Sequence, residues 1–319
     1  MHKRIIKEND LNDFEVTYAP DGNATAEAEN ESGRGSMKIT RLFDGIVLMR
    51  NEYNMAYYDS KYRTGDKIIA IDYCKDGNLA MECDDGSYQV KRRGSICIDS
   101  RIHHVGKALF PTGHYSGITL SLEVDTADRS LARICSGRNP SIDEIRDRFC
   151  AKYGYYIFSE ENRLSALFER LYETDEGTKT EEARKTVLEI IVYLGQLQPD
   201  WEERPYFYRD HLARIHETAE FIAKDLSVHH TVAELADRAE IPETAFKHIF
   251  MNVYGKPVFQ WVTEQRMSKA CWMLISFPES RIEKIANKVG YMNAGKFAAA
   301  FKRIYGITPR RYRSIAKCH

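Results

Sequence analysis

Basic side chains are the groups in this 319-residue chain whose type and spacing most clearly suggest chemistry. Nine Lys and Arg residues, and no Asp or Glu, follow Glu283. Residues 210–319 contain 17 basic and 11 acidic residues, whereas residues 1–209 contain 29 and 36, so an acidic front precedes a basic rear. A basic rear either binds a polyanion or presents a solvated face, and charge alone does not decide between these.

Histidines and cysteines give weaker evidence for a metal or redox centre. His103, His104 and His114 are close in sequence but lack the alternate-residue pair that would point two imidazoles to one side of a strand. Hydrogen-bonded or solvated histidines are therefore expected, and no metal site. The seven cysteines contain no C-x-x-C pair, which favours buried or free thiols, with a redox sensor as the alternative.

Other function classes are disfavoured by what the sequence lacks. It contains no phosphate-cradling glycine loop and no nucleophile elbow, so we expect no catalytic residue, no cofactor and no enzyme activity. No apolar run reaches the roughly 18 residues of a membrane span, so no membrane partner is expected. The first residues, MHKRIIKENDLNDF, are too polar for a secretory signal, which makes the cytoplasm the expected location.

Changes in texture along the chain predict an α+β, multidomain protein. Residues 1–35 are polar and are expected to form a loosely attached segment. Short apolar runs between turn residues predict antiparallel strands over 36–128, arranged as a small β-barrel or sandwich. Of these, we expect a cupin-like β-barrel with helices attached. Helices are predicted over 129–198, and two prolines mark a linker at 199–209.

Two apolar features of this front part have alternative interpretations. A stripe at helical spacing either packs on the β-rich region or forms a homodimer interface through residues 180–198; it consists of Val187, Ile190, Ile191, Leu194 and Leu197. Aromatic residues either line an effector pocket or pack between strands and linker; they are Tyr53, Tyr57, Tyr58, Tyr62 and the PYFY run at 205–208.

An internal repeat lies within residues 210–319. Leu235-Ala236 matches Ile285-Ala286 at an offset of 50 residues, and the later anchors match at 51: Phe246, Phe250 and Tyr254-Gly255 with Phe297, Phe301 and Tyr305-Gly306. Each copy predicts a helix, a tight turn and a second helix, with the phenylalanines facing inward and the glycine ending the second helix in a left-handed conformation. Thr231 is expected to cap the first copy, and Pro242 to start its second helix.

The run VGYMNAGKFAAAFKRIYGITPRRYR (289–313) resembles the signature of AraC/XylS-type transcription regulators, and EQRMSKACWML (264–274) resembles the long helix that joins their two helix-turn-helix units. The resemblance implies an all-α DNA-binding domain over 210–319, with helix-turn-helix units at about 231–255 and 281–306. It further implies double-stranded DNA and RNA polymerase as partners, activation of transcription, and a front domain that senses a small-molecule effector whose binding residues are unknown. The alternatives are a regulator under redox or partner control, and an enzyme fused to such a domain.

By the same resemblance, the second helix of each copy carries the candidate base contacts: Thr244, Lys247 and His248 on the first, Asn293 and Lys296 on the second. The candidate phosphate contacts are Arg266, Lys302, Arg303, Arg310, Arg311 and Arg313. This chain has His248 where the family often has Arg, and Ala298-Ala299-Ala300 where it usually has Ser-Arg. We therefore expect the first unit to specify sequence and the second mainly to anchor.

Overall fold

The computed structural model describes residues 14–20, 22–59, 67–136, 140–158, 162–174, 180–201 and 207–316. The chain divides into two compact units, an N-terminal unit (Met1–Arg209) and a C-terminal unit (Asp210–His319). Among the helices of the described ranges, none combines the length and apolarity needed to cross a membrane.

The N-terminal unit is built on a curled antiparallel sheet. Its strands in the described part are β1 (Glu15–Tyr18), β2 (Ala24–Asn30), β3 (Gly33–Phe43), β4 (Ile46–Asn54), β5 (Tyr57–Asp59), β6 (Ile68–Cys83), β7 (Ser87–Arg92), β8 (Ile96–Asp99), β9 (His104–Leu109), β10 (Tyr115–Glu123), β11 (Tyr155–Phe158) and β12 (Phe207–Tyr208). The main path runs β1-β2-β3-β4-β10-β6-β7-β12. A hairpin forms at the DDGS run (84–87), where β6 pairs with β7.

The long strand β6 joins two parts of the sheet. Its first half pairs with β10 and β8, and its second half pairs with β7 and β9. Gly77 lies at the changeover with a φ of 76°, and a Cβ there would come within 2.0 Å of the His114 carbonyl oxygen. Only glycine therefore allows this close approach of backbone to backbone.

The sheet begins earlier than the sequence predicts. β1 pairs with β2 and β2 pairs with β3, so the expectation of a loosely attached segment over 1–35 is wrong from Glu15 onward; residues 1–13 lie outside the described ranges. Ala24, Ala26 and Ala28 alternate with polar residues and are all buried. The alternation has the period of a strand, but alanine is small and weakly strand-forming, so composition concealed it.

Four helices of the described ranges pack on one face of the sheet, and an apolar core lies between the helices and the sheet. They are α1 (Val124–Ile134), α2 (Ile142–Cys150), α3 (Asn162–Glu173) and α4 (Thr180–Gln196). Ile71, Ile98 and Leu120 of the sheet share this core with Leu131, Phe149 and Phe168 of the helices. Ser141 caps α2, because its side chain accepts a hydrogen bond from the Glu144 backbone at 3.4 Å.

The apolar stripe of α4 belongs to this core. Val187, Ile190, Ile191 and Leu194 are buried against the sheet and the neighbouring helices, and Leu197 is partly buried beside them. The stripe is therefore already covered by its own chain, and the alternative of a homodimer interface formed by these side chains through 180–198 is wrong. The helical spacing was correct, but periodicity does not identify what an apolar face packs against.

The opposite, inner face of the sheet carries a buried ionic cluster, defined here as Asp72, Lys91, Asp99, Arg101 and His104. Lys91 Nζ lies 2.5 Å from Asp72 Oδ2, and Arg101 Nη2 donates to both Asp72 oxygens at 2.7 and 2.8 Å. His104 Nε2 lies 2.8 Å from Asp99 Oδ2, and the Lys91 side chain is only 1% exposed. Two carboxylates and two permanent cations neutralise one another, which is the condition under which buried charges are tolerated.

Each of the three candidate histidines has its own partner. His103 Nδ1 lies 3.2 Å from Asp84, His104 contacts Asp99, and His114 Nδ1 lies 3.0 Å from the Asn54 side chain. Within the described ranges, no three His, Cys, Asp or Glu residues are grouped as a metal site. The hydrogen-bonded interpretation accounts for all three side chains.

The described cysteines are free thiols, and most are buried. Burial raises the pKa of Cys74 to about 12, of Cys83 to about 11 and of Cys150 to about 12. Because the thiolate is the reactive form, these side chains are poor candidates for redox chemistry. Cys318 lies outside the described residues.

The C-terminal unit is helical throughout its described part. Its helices are α5 (Arg209–Lys224), α6 (Val232–Arg238), α7 (Glu243–Tyr254), α8 (Val258–Ser276), α9 (Ile282–Lys288), α10 (Ala294–Tyr305) and α11 (Pro309–Ala316). The start of α5 and the strand β12 both fall within the stretch predicted as a linker, of which residues 202–206 are not described.

Candidate nucleic-acid interface

The first helix-turn-helix comprises α6, a tight turn and α7. Thr231 and Glu234 form a capping box, in which the Thr231 hydroxyl accepts from the Glu234 backbone at 3.2 Å and the Glu234 carboxylate accepts from the Thr231 backbone at 2.8 Å. Pro242 directly precedes α7, and Gly255 ends it with a φ of 72°. The two helices together run from Val232 to Tyr254.

Aromatic packing fixes the inner face of α7. Phe246 and Phe250 are fully buried, and the Phe250 ring lies 4.5 Å from the Tyr254 ring and 5.7 Å from the Trp261 ring of α8. Burying two phenylalanines on one side of a helix determines which residues must lie on the other. The polar face of α7 is therefore held outward by the core beneath it.

Thr244, Lys247 and His248 occupy that exposed face. Lys247 forms an ion pair with Glu243 one turn earlier. His248 is ordered by Asn252, whose Nδ2 donates to the His248 carbonyl oxygen at 2.7 Å and lies 3.3 Å from the imidazole Nε2. Sequence analysis missed Asn252; its i+4 spacing from His248 and its polar side chain on a mostly buried stretch were the available signal.

The second helix-turn-helix repeats the arrangement with α9 and α10. Phe297 and Phe301 are fully buried against Met267 and Leu274 of α8 and against Ile285 of α9. Gly306 ends α10 with a φ of 73°. The same anchors of the sequence repeat thus serve the same purpose in both copies.

Asn293 is the N-cap of α10, not its first residue. Its Oδ1 accepts a hydrogen bond from the Lys296 backbone at 2.9 Å. Asn293 and Lys296 are both exposed, and the amide nitrogen of Asn293 is not used in that hydrogen bond. Both candidate residues therefore flank the exposed start of α10, and one of them also has a structural role.

Exposed cations continue beyond this point. Lys302, Arg303, Arg310 and Arg311 are exposed. Arg313 is half-buried, and its Nε and Nη2 atoms are buried without a hydrogen-bond partner among the described residues. Because no acidic residue follows Glu283, the end of α10 and α11 present positive charge that carboxylates of the same stretch cannot neutralise.

Arg266 does not belong to this surface, and its assignment as a phosphate contact is wrong. Its side chain lies on α8 and is 7% exposed. Nε donates to the Leu226 carbonyl oxygen at 2.9 Å and Nη2 to the Val228 carbonyl oxygen at 2.9 Å. Burial lowers the pKa of this guanidinium from its ordinary value. Its donors are occupied by backbone inside the unit, so they are not available to a phosphate.

Comparison with known proteins agrees with this geometry. A family model described as a helix-turn-helix domain matches residues 235–315. The regulator AlkR of Acinetobacter baylyi is 31% identical over 83 residues, which cover 26% of this chain and 27% of that protein. The transcriptional activator AggR of Escherichia coli is 30% identical over 96 residues, covering 30% and 36%.

Solved structures are similar as well. The C-terminal domain of AraT, a response regulator from Geobacillus stearothermophilus, is 27% identical with a TM-score of 0.31, covering 32% of this chain and 84% of that one. ToxT from Vibrio cholerae is 13% identical with a TM-score of 0.31, covering 83% and 97%.

The chain carries an AraC-type helix-turn-helix domain at residues 235–315. The matched segments span between 25% and 37% of the length of relatives such as ExsA of Pseudomonas aeruginosa and LumQ of Photobacterium leiognathi. The relatives are named as transcriptional regulators, and none of these names is that of an enzyme.

Proposed function

We propose that this protein is a sequence-specific DNA-binding transcription regulator that lays α7 and α10 into successive major-groove segments on one face of double-stranded DNA. The observation that carries the proposal is the pair of repeated helix-turn-helix units, each with buried phenylalanines beneath and exposed polar residues above. A protruding helix of this kind fits the major groove, where base edges present distinct hydrogen-bonding patterns.

The two helices have different roles in this proposal. α7 offers Thr244, Lys247 and an ordered imidazole at His248, which can donate to or accept from base edges. α10 and its N-cap offer Lys296 and Asn293, followed by Ala298-Ala299-Ala300, of which two alanines can make apolar contact with thymine methyl groups. The first helix therefore specifies the sequence and the second mainly anchors.

Phosphate contacts supply most of the affinity. The exposed cations Lys302, Arg303, Arg310 and Arg311 follow or lie on the helices of the second helix-turn-helix, and Arg313 joins them on α11. Each neutralised phosphate releases counterions and contributes about −0.9 to the slope of log affinity against log salt concentration. Because α8 joins the two helix-turn-helix units, the two DNA segments that they contact should together span about two turns of DNA. The centres of these segments should lie about 34 Å apart.

The N-terminal unit serves as a cupin-like sensing domain for a small-molecule effector. Its inner face supports this part of the proposal, because it combines the buried ionic cluster with the aromatic residues Tyr53, Phe110 and Tyr115. Gln89 is 1% exposed, and neither polar atom of its amide has a hydrogen-bond partner among the described residues. A buried amide without a partner costs free energy that a polar ligand would recover.

The alternatives are regulation without an effector and an enzyme fused to the helix-turn-helix domain. Redox control is disfavoured by the raised pKa values of the buried thiols. Activation of transcription through RNA polymerase is the direction we propose, because relatives such as AggR and RhaR are named activators.

Selection from a library of random-sequence duplexes with the full chain tests DNA binding directly. We expect enrichment of one motif, whose affinity falls steeply with salt. Arg311→Ala should reduce the salt slope by about 0.9, whereas Arg133→Ala, which removes an exposed cation on α1 of the N-terminal unit, should leave the slope unchanged. An absence of enrichment, or binding without salt dependence, would refute the proposal.

A further inference from the structure

A set of tertiary contacts connects the loop before the first helix-turn-helix with the turn of the second, partly through Arg266 of α8. We call this set of contacts the clasp and define it as the loop Leu226–His229, Arg266 and Gly290. The loop precedes α6 of the first helix-turn-helix, and Gly290 lies in the turn between α9 and α10 of the second. The partners are separated by 37 to 61 residues in sequence, so these contacts are tertiary.

Arg266 is the centre of the clasp. From α8 it donates in two directions, to the carbonyl oxygens of Leu226 and Val228, and its guanidinium lies 5.9 Å from the centre of the Tyr291 ring. Its donors thus hold the loop before the first helix-turn-helix, while its guanidinium lies over the Tyr291 ring in the turn of the second. Both partner carbonyls are backbone groups, so the hydrogen bonds fix the position of the chain itself.

Gly290 and His229 complete the connection. His229 Nε2 lies 2.7 Å from the Gly290 carbonyl oxygen, so the imidazole donates to the turn of the second unit. A Cβ on Gly290 would come within 2.7 Å of the Leu226 carbonyl oxygen and 2.8 Å of the Arg266 Cζ, and the φ of this residue is +82°. The turn and the loop therefore approach so closely that no side chain fits between them.

The clasp restricts relative motion of the two helix-turn-helix units that α8 alone would allow. A single connecting helix fixes distance, but its ends can bend and the packed units can roll against it. A multiply hydrogen-bonded contact beside the helix restricts that motion, because shifting either helix-turn-helix would take the donors away from the carbonyl oxygens of Leu226, Val228 and Gly290. The relative position of α7 and α10 is then set by the clasp as well as by α8.

We infer that Arg266 is a positioning residue that fixes the separation of α7 and α10, so that the protein discriminates DNA sites by the spacing between their two segments. This inference rests on the proposed function. Inserting one base pair moves a DNA segment by about 3.4 Å and rotates it by about 35°. A rigid pair of recognition helices cannot follow that change, whereas a loosened pair can.

The test uses the full chain and the duplex enriched from the random library, together with versions that carry one base pair more or fewer between the two recognised segments. For the wild type we expect affinity to fall at least about tenfold at either altered spacing, which corresponds to about 1.4 kcal/mol. For Arg266→Ala the affinity for the original site falls, but the three spacings differ by less than about threefold. A merely destabilised domain would instead lose affinity at all spacings alike and keep their ratio.

His229→Ala provides a second variant that should fold, because His229 is exposed and the substitution removes only its contacts with Gly290 and Arg266. We expect it to tolerate altered spacing as well. His230→Ala is the matched control, since the His230 ring packs 5.1 Å from the Phe221 ring instead; its spacing dependence should equal that of the wild type. If Arg266→Ala does not fold, as judged by loss of helical circular dichroism, His229→Ala decides the outcome.

Three results would overturn the inference. These are wild-type binding that is indifferent to spacing, wild-type spacing dependence in both clasp variants, and loss of spacing dependence in His230→Ala. Failure to enrich any duplex would instead refute the proposed function, and the inference with it, so the two failures are distinguishable.

Discussion

Lys247 and His248 are consecutive residues of α7, but their side chains have different partners and therefore different conformational freedom. The Lys247 ammonium is a mobile point charge whose partner, Glu243, is itself exposed. The His248 imidazole is held by Asn252, so less conformational freedom is lost when it meets a base. A histidine lacks the two-pronged fork of an arginine, so a base contact from this position would consist of one directed hydrogen bond instead of two.

Substituting the two exposed lysines tests the division of roles between the helices. We expect Lys247→Ala to change the preferred base at one or two positions of the enriched motif, because it removes a candidate base contact worth about 1–3 kcal/mol. Lys296→Ala should weaken binding to all sequences by a similar factor and leave the motif unchanged. Both are measured by repeating the duplex selection with each variant. A larger change of motif for Lys296→Ala than for Lys247→Ala would reverse the assignment.

At the scale of elements, the ionic cluster on the inner face of the sheet makes the stability of the N-terminal unit depend on pH. Arg101 Nη1 lies 3.4 Å from His104 Nδ1, and an arginine can only donate, so Nδ1 accepts and Nε2 carries the proton that faces Asp99. Burial lowers the pKa of His104 from its ordinary value, although Asp99 opposes that shift. Burial would raise the pKa of Asp99, but His104, Arg101 and Lys91 together hold it well below its ordinary value.

These directions predict that the N-terminal unit loses stability as the pH falls. The unfolded chain takes up a proton at His104 near the ordinary pKa of about 6.5, whereas the folded chain resists protonation to a lower pH. The stabilisation by neutral His104 is thus complete above about pH 6.5 and is lost below it, at up to about 1.4 kcal/mol per pH unit. The Asp99 contribution is lost further down, from about pH 4.

Calorimetric melting of the full chain between pH 8 and pH 5 measures this effect. His104→Asn should flatten the decline in melting temperature of the N-terminal unit over that range. Exposed His103 offers a matched control, and His103→Asn should leave the decline as it is in the wild type. An unchanged profile in His104→Asn would show that another group controls the pH dependence.

The helix-turn-helix elements could be predicted from sequence because each is specified locally. Gly255 and Gly306 are needed for a left-handed cap, Thr231 caps its own helix, and the phenylalanines recur at helical spacing. Arg266 could not be assigned this way, because its partners lie in a distant loop. A signal was nevertheless present: Arg266 lies four residues before Ala270 and eight before Leu274, which places it on the buried stripe of α8.

The inner face of the sheet was harder to predict still. Asp72, Lys91 and Asp99 are charged residues within otherwise apolar or mixed strands, and nothing in their spacing shows that they meet. They lie on β6, β7 and β8, and only the strand pairing brings them together. Strand register is a tertiary property, so the sequence predicted strands without predicting their shared interior.

On the scale of the whole molecule, the uneven charge along the chain corresponds to the two compact units. The N-terminal unit carries the acidic excess and the curled sheet, and the C-terminal unit carries the basic excess and both helix-turn-helix units. A net charge of −1 for the full chain conceals this division. It suits a protein in which only one unit is attracted to a polyanion, since a uniformly basic chain would also bind DNA through its N-terminal unit.

Hydroxyl-radical footprinting of the full chain on its enriched duplex tests the central claim most directly. With α7 and α10 in successive major-groove segments, we predict two protected patches on one face of the helix, centred about one turn or 34 Å apart. A single protected patch, or two patches on opposite faces of the duplex, would contradict the account.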